Sequence, residues 1–237
     1  VYLSMGLTAE NVAKKYNLSR KEQQDFAILS HANAAKAQLS KSFDQELTII
    51  KKDNIEVISD GGIRPNTSQE ILNNLKLVFD ENGTITAGTA SPLTDGASAT
   101  LVCEEEYAKA NKLPIIARIK STAIQGCPPE LMGLGPINAS KKALKRANLD
   151  IKDIGIVELN EAFASQSIAC IKELKINPEI VNIEGGAISL GHPLGATGTR
   201  ITAKAASLMI KHNKKYALAT QCIGLGQGIA TVLERVE

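Results

Sequence analysis

At 237 residues, with 43% hydrophobic residues and a formal charge of only +2, the chain can bury a core but has no bulk charge to hold a polyanion. Aromatic residues make up 3% and tryptophan is absent, which argues against stacked-base recognition of nucleic acid. No apolar run approaches the ~20 residues that span a bilayer, the opening residues lack a basic-then-apolar leader, and four scattered cysteines with three distant histidines form neither a zinc pattern nor a disulfide scaffold. This cysteine usage suits a reducing compartment.

In chain order, Thr8 is a candidate N-cap for a short helix running to Tyr16. Ser19 and Glu22 have capping-box spacing and open a helix to about Leu39, with Phe26, Leu29, Ala32, Ala35 and Leu39 able to share a face. Residues 46–51 and 55–58 read as extended. Thr67 with Glu70 predicts a second capping box for a short helix to about Lys76. Residues 97–103 read as a buried strand, 104–111 as a helix and 114–121 as extended. Asn138 is a candidate cap for a helix to Ala147. Strands are then expected over 154–159, 180–183, 216–223 and 228–234, with helices over 161–174 and 196–212. Alternation of strand with helix from Pro114 onward predicts an α/β layer with a mostly parallel sheet.

Three late loops follow strands: NEAFASQ (160–166), GGAISLGHPLGATGTR (185–200) and CIGLGQG (222–228). The carboxyl ends of strands are where α/β sheets bind ligands. Taken singly, His192 reads as a loop histidine or as an imidazole aimed into a cleft by its glycines and Pro193. Cys222 reads as a buried structural thiol or a reactive one, and Asn160 with Glu161 as a helix N-cap with a favourable first-turn acid. Taken together, a thiol to move protons, an imidazole to activate a nucleophile and an amide near an oxyanion are the groups that thioester chemistry requires. Neither a phosphate-binding P-loop nor a GxGxxG dinucleotide fingerprint is present in these loops.

In this order and spacing the three blocks resemble the thiolase family. MGLTAENVAKKYNLSRKEQQDFA (5–27) is similar to the start of its loop domain, and TAGTASPLTDGASA (86–99) to the return to its core. PELMGLGPINAS (129–140) and CIGLGQGIATVLERV (222–236) are most like bacterial degradative 3-ketoacyl-CoA thiolases. The resemblance implies a thiolase-like layered α/β fold with an inserted loop domain. Residues 1–88 would be the loop domain on the CoA side, 89–115 the last strand and helix of the N-terminal half, and 116–237 the C-terminal half.

The resemblance also implies roles. His192 would activate the nucleophilic cysteine, Cys222 would be the acid/base, Asn160 would hold an oxyanion-stabilising water, and the Gly224 N–H would serve a second oxyanion hole. Ser91 and the stretch from Ala87 to Ala90 would line a pantetheine channel, with Met5, Met132 and Phe163 as apolar walls. Lys76 stands where an arginine often lies near the adenine, and Ser4 where the biosynthetic branch has a histidine. The implied reaction is thiolysis of 3-ketoacyl-CoA in fatty acid β-oxidation, with CoA as substrate and no separate cofactor. The family's nucleophilic cysteine precedes the loop domain and is expected to lie outside these residues; Cys103, Cys127 and Cys170 read as structural. A homodimer or homotetramer, a hydratase/dehydrogenase subunit as partner and a bacterial cytoplasmic setting are implied, with mitochondrial or peroxisomal settings as alternatives. An acetoacetyl-CoA-specific thiolase, a non-catalytic acyl-CoA-binding fragment and a ketoacyl-synthase-type condensing enzyme are the competing readings.

Overall fold

The computed structural model describes residues 3–236. Helix α1 (Met5–Lys15) is capped by the Ser4 hydroxyl rather than by Thr8, whose own hydroxyl turns back to the Met5 carbonyl inside the first turn. Helix α2 (Arg20–Leu39) carries the expected Ser19–Glu22 capping box. Its expected apolar face is not the buried one. Leu29, Ala32 and Leu39 are exposed, while Gln23, Gln24, Ala27, Ser30, His31, Ala34 and Ala37 face inward. Polar partners account for the reversal: Gln23 donates to Thr84 at 2.8 Å and His31 Nδ1 accepts from the Arg64 N–H at 3.1 Å. Buried polar groups are tolerated where they are hydrogen-bonded.

A small antiparallel ribbon, β1 (Ile50–Lys52) with β2 (Ile55–Val57), projects fully exposed, so the extended stretch expected from residue 46 begins at 50. Ser68, not Thr67, caps α3 (Gln69–Asn73), and Thr67 instead bonds the Arg64 carbonyl. Residues 97–103 do not form the expected strand. A strand needs a neighbour for its backbone groups, none pairs with this segment among the described residues, and Leu101 and Val102 are 75% and 67% exposed. Helix α4 (Glu105–Ala110) follows as expected.

The remainder is a three-layer unit. Its sheet has the order β3-β6-β5-β4, built from β3 (Arg118–Gly126), β4 (Ile156–Leu159), β5 (Tyr216–Ile223) and β6 (Gln227–Glu234). Only β4–β5 is parallel, so the sheet is mixed and mostly antiparallel, contrary to expectation. The tight β5–β6 turn and the return of β3 alongside β6 need no crossover helix, and antiparallel pairing follows. Residues 180–183 contribute a 3₁₀ turn and a single bridge from Val181 to Val157 rather than a strand. Helix α5 (Gly135–Ala147) starts before Asn138, which lies within it, and α6 (Ala164–Leu174) starts three residues later than expected. A short α7 (Ala187–Leu190) precedes the long α8 (Leu194–Lys211).

Strand alternation sorts the core. Val157, Leu159, Leu218, Ala230 and Val232 face α5 and α6, whereas Ile156, Ala217, Ala219 and Leu233 face α8 through Ile201, Ala205, Leu208 and Met209. Close backbone approach fixes the α5 side. A methyl at Gly228 of β6 would fall on the backbone of Gly135 at the start of α5, and one at Gly135 would fall on the carbonyl of Gln227 and the nitrogen of Gly228.

Candidate active site

The parallel register Leu159↔Thr220 sets Asn160 and Cys222 at the same carboxyl end of adjacent strands. The Asn160 N–H extends the ladder to the Thr220 carbonyl at 3.0 Å. Neither Asn160 nor Glu161 caps a helix, since α6 begins only at Ala164 with Phe163 before it. Asn160 instead turns its side chain toward the histidine loop, its Nδ2 lying 3.3 Å from His192 Nε2. Its Oδ1 is buried with no protein partner.

His192 occupies the three-residue link, Gly191 to Pro193, between α7 and α8. Gly191 ends α7 with φ of +91°, a conformation that side-chain-bearing residues rarely adopt, and this turns the chain so that His192 leaves the helix axis. Thr94, from the SPLTDGAS stretch, accepts the His192 N–H at 3.2 Å, and Ser98 bonds the Ala196 carbonyl at 2.7 Å. That stretch therefore lies across the loop and holds it from outside. The other ring nitrogen, Nδ1, lies 2.7 Å from the Thr197 hydroxyl. Burial, aided by the charge of Arg200, holds the imidazole below its ordinary value. Both effects favour the neutral ring over the imidazolium.

Glu161 lies beneath this loop, 1% exposed. It accepts hydrogen bonds from the Ser30 hydroxyl at 2.7 Å, Asn182 Nδ2 at 2.8 Å and the Ile188 N–H at 3.1 Å. Burial pushes its carboxyl above the ordinary range, against those three donors, which favour the carboxylate. Ser30 also accepts the Gly186 N–H at 3.2 Å, so one hydroxyl joins α2, Glu161 and the base of the histidine loop.

Cys222 is partly buried and packs with Ala9, Ile85, Ala162 and Phe163, close to Ala90. Burial pushes its thiol up to about 12, so it rests protonated. The turn after it carries Leu225 and Gly226 at positive φ, which leaves Gly224 exposed with open space around its α-carbon. Among the described residues no cysteine sulfur hydrogen-bonds His192. Cys103 is exposed on the unpaired 97–103 segment instead of lying in a core strand, Cys170 is buried in α6, and Cys127 sits against the Leu131 and Met132 carbonyls.

The residues expected to line a channel divide. Ala90 bridges Phe163, and Ser91 follows with both its N–H (3.0 Å) and hydroxyl (3.1 Å) on the Ala162 carbonyl. Ala90 thus packs against the same cluster as Cys222, while the Ser91 hydroxyl is engaged internally. Ala87 and Met5 are exposed, and Lys76 lies exposed beyond α3. Met132, at 3% exposure, is a core residue in the 3₁₀ segment before α5 rather than an open wall. A cavity of about 470 Å³ lies elsewhere, between the ends of α2 and α8, and none of His192, Asn160 or Cys222 lines it. Thr94, Thr197 and Ser30 were not readable as site residues, and Glu161, read with Asn160 as a first-turn acid, was not readable as the acceptor beneath the histidine loop, because these roles depend on partners distant in sequence or on a hydroxyl's direction. Among the described residues no cluster of metal ligands occurs, and no helix is long and apolar enough to cross a membrane.

Comparison with known proteins places the chain among its relatives. The family profile "Thiolase, C-terminal domain" matches residues 113–235, and "Thiolase, N-terminal domain" matches 2–106. The chain is 51% identical over 240 residues to a 3-ketoacyl-CoA thiolase of Shewanella loihica, covering 98% of this chain and 62% of that one. It is 51% identical over 245 residues to the 3-ketoacyl-CoA thiolase of Vibrio parahaemolyticus, covering 98% and 61%. The crystal structure of human mitochondrial 3-ketoacyl-CoA thiolase superposes with a TM-score of 0.93 at 39% identity, over 99% of this chain and 60% of that one. The acetyl-CoA acetyltransferase of Bacillus anthracis does so at 0.92 and 37%, over 99% and 60%. The chain thus spans about three-fifths of the length of the relatives it matches, and with both family profiles matched and its ordered fold shared, it belongs to the thiolase family.

Proposed function

We propose that this chain supplies the acid–base and oxyanion side of a thiolase active site that cleaves 3-ketoacyl-CoA with CoA, giving acetyl-CoA and an acyl-CoA two carbons shorter. The observation that carries the reading is the contact of Asn160 with His192 Nε2, with a protonated Cys222 at the carboxyl end of the neighbouring strand. In this reading a cysteine contributed from outside these 237 residues is the nucleophile, and His192 Nε2 takes its proton. The thiolate adds to the 3-keto carbon, and the C2–C3 bond breaks to leave an acyl-cysteine and the acetyl-CoA enolate. Cys222 gives its proton to the enolate carbon, then recovers one from incoming CoA, whose thiolate releases the acyl group. A thiol that rests protonated suits the first of those two steps.

Asn160 and His192 would stabilise the oxyanion of the thioester, and the exposed Gly224 N–H a second one. Ala87, Ala90, Ser91 and Phe163 form the pantetheine side, Met5 its outer rim, and Lys76 the side of the nucleotide. Met132 would act beneath this wall, not on it. The division into a loop domain over 1–88, a connecting 89–115 and a C-terminal half over 116–237 belongs to the same reading, as do a homo-oligomer and a hydratase/dehydrogenase partner. The 51% identity to relatives named 3-ketoacyl-CoA thiolase supports the degradative branch.

The test is a graft in which this chain replaces the aligned 62% of the Shewanella loihica thiolase. CoA-dependent consumption of a 3-ketoacyl-CoA, with acetyl-CoA and the shortened acyl-CoA formed in equal amounts, is the expected result. A folded graft that binds CoA yet leaves the 3-ketoacyl-CoA intact overturns the reading.

A further inference from the structure

We propose that Thr197 is a positioning residue that sets the tautomer of His192, accepting the Nδ1 proton so that the Nε2 lone pair faces Asn160 and the cleft. The inference rests on the reading of His192 as the base of the site.

The hydrogen-bond directions form one continuous chain. Asn160 Nδ2 can only donate, so His192 Nε2 accepts from it at 3.3 Å. A neutral ring with an accepting Nε2 must carry its proton on Nδ1, which lies 2.7 Å from Thr197 Oγ1. The single hydroxyl proton of Thr197 is directed to the Pro193 carbonyl at 3.0 Å, leaving its oxygen free to accept. Thr197 is fully buried in the first turn of α8, five residues after the histidine, so its hydroxyl has no water to exchange for. His31 supplies a contrast within the same chain. Its Nδ1 accepts the Arg64 N–H at 3.1 Å, which requires the opposite tautomer with the proton on Nε2. The charged group that acts on the His192 ring is Arg200, which like burial favours the neutral ring.

The arrangement matters because only a lone pair on Nε2 can take a proton from a nucleophile in the cleft, and a ring protonated at Nε2 cannot. The experiment begins with the ¹⁵N-labelled chain itself and long-range ¹H–¹⁵N spectra of its imidazoles. The expected result is a pyrrole-like Nδ1 and a pyridine-like Nε2 for His192, with the reverse for His31. Thr197→Val, which keeps the shape and removes the acceptor, should move His192 toward the Nε2–H form, and Thr197→Ser should restore the original pattern. An unchanged His31 signature in both variants shows that the fold is intact. In the grafted enzyme, Thr197→Val should lower kcat roughly 10- to 100-fold with little change in KM, with recovery in Thr197→Ser. An Nε2–H tautomer in the wild-type chain, or a His192 pattern indifferent to Thr197→Val, overturns the proposal. Because the tautomer is read without turnover, failure of the reaction in the wild-type graft is a separate result.

Discussion

Ser30 in the middle of α2 and Glu161 after β4 are joined by a 2.7 Å hydrogen bond across 131 residues of sequence. Through it, a helix at the periphery reaches the base of the loop that presents His192. Removing the carboxylate leaves the Ser30 hydroxyl, the Asn182 amide and the Ile188 N–H buried without their acceptor. Glu161→Ala should therefore lower unfolding free energy by roughly 2–4 kcal/mol in urea titration and speed amide exchange over 186–191. A loss below about 0.5 kcal/mol, with exchange unchanged, would show that the latch holds nothing.

Glu158 gives a pH signature. It is fully buried on the α8 face of β4 with Oε1 unpartnered, and burial raises its carboxyl from 4.5 to about 8 despite the nearby charges of Arg200 and Lys204. Between those values the folded chain binds a proton that the unfolded chain has lost, so stability falls as pH rises through this window. Chemical denaturation from pH 4.5 to 8 should show the decline, and Glu158→Gln should flatten it. A wild-type profile already flat across the window contradicts the assignment.

Gly228 and Gly135 let β6 and the start of α5 touch backbone to backbone. Gly228→Ala should cost roughly 2–4 kcal/mol by thermal or urea unfolding, because the clash is with main chain and not with a side chain that can rotate away. The turn bearing Gly224 should lose order with it. A variant as stable as wild type would mean that the two elements can separate freely.

The thiols should separate by reactivity. Cys103 is exposed, whereas burial raises Cys222 to about 12 and Cys170 further still. Alkylation at pH 8 followed by peptide mapping should label Cys103 first, Cys222 at least ~100-fold more slowly, and Cys170 last. Rapid labelling of Cys222 would mean that its thiol is not held protonated, and its resting role as an acid would fall with it.

The site was legible where neighbouring residues carry the signal. NEAFASQ and CIGLGQG lie at the carboxyl ends of β4 and β5, whereas the strand expected before the glycine-rich loop does not form; the structure nevertheless brings His192 of that loop to 3.3 Å from Asn160. The capping box of Ser19 and Glu22 was equally local, and it formed. What failed depended on partners far along the chain. The inward face of α2 is set by Thr84, Arg64 and Glu161, not by its own apolar residues. Residues 97–103 have strand-like composition but no adjacent strand, and the antiparallel sense of β3 and β6 is a matter of topology that alternation of elements does not encode.

The central claim, that His192 and Cys222 carry the proton transfers of a thiolytic cleavage, is tested most directly by turnover of a 3-ketoacyl-CoA in the grafted enzyme with Cys222→Ser. The account predicts a fall of at least ~100-fold at unchanged fold, with His192→Ala slowing formation of the acyl-enzyme to a similar degree. Full turnover in Cys222→Ser, or rapid acylation in His192→Ala, would contradict it.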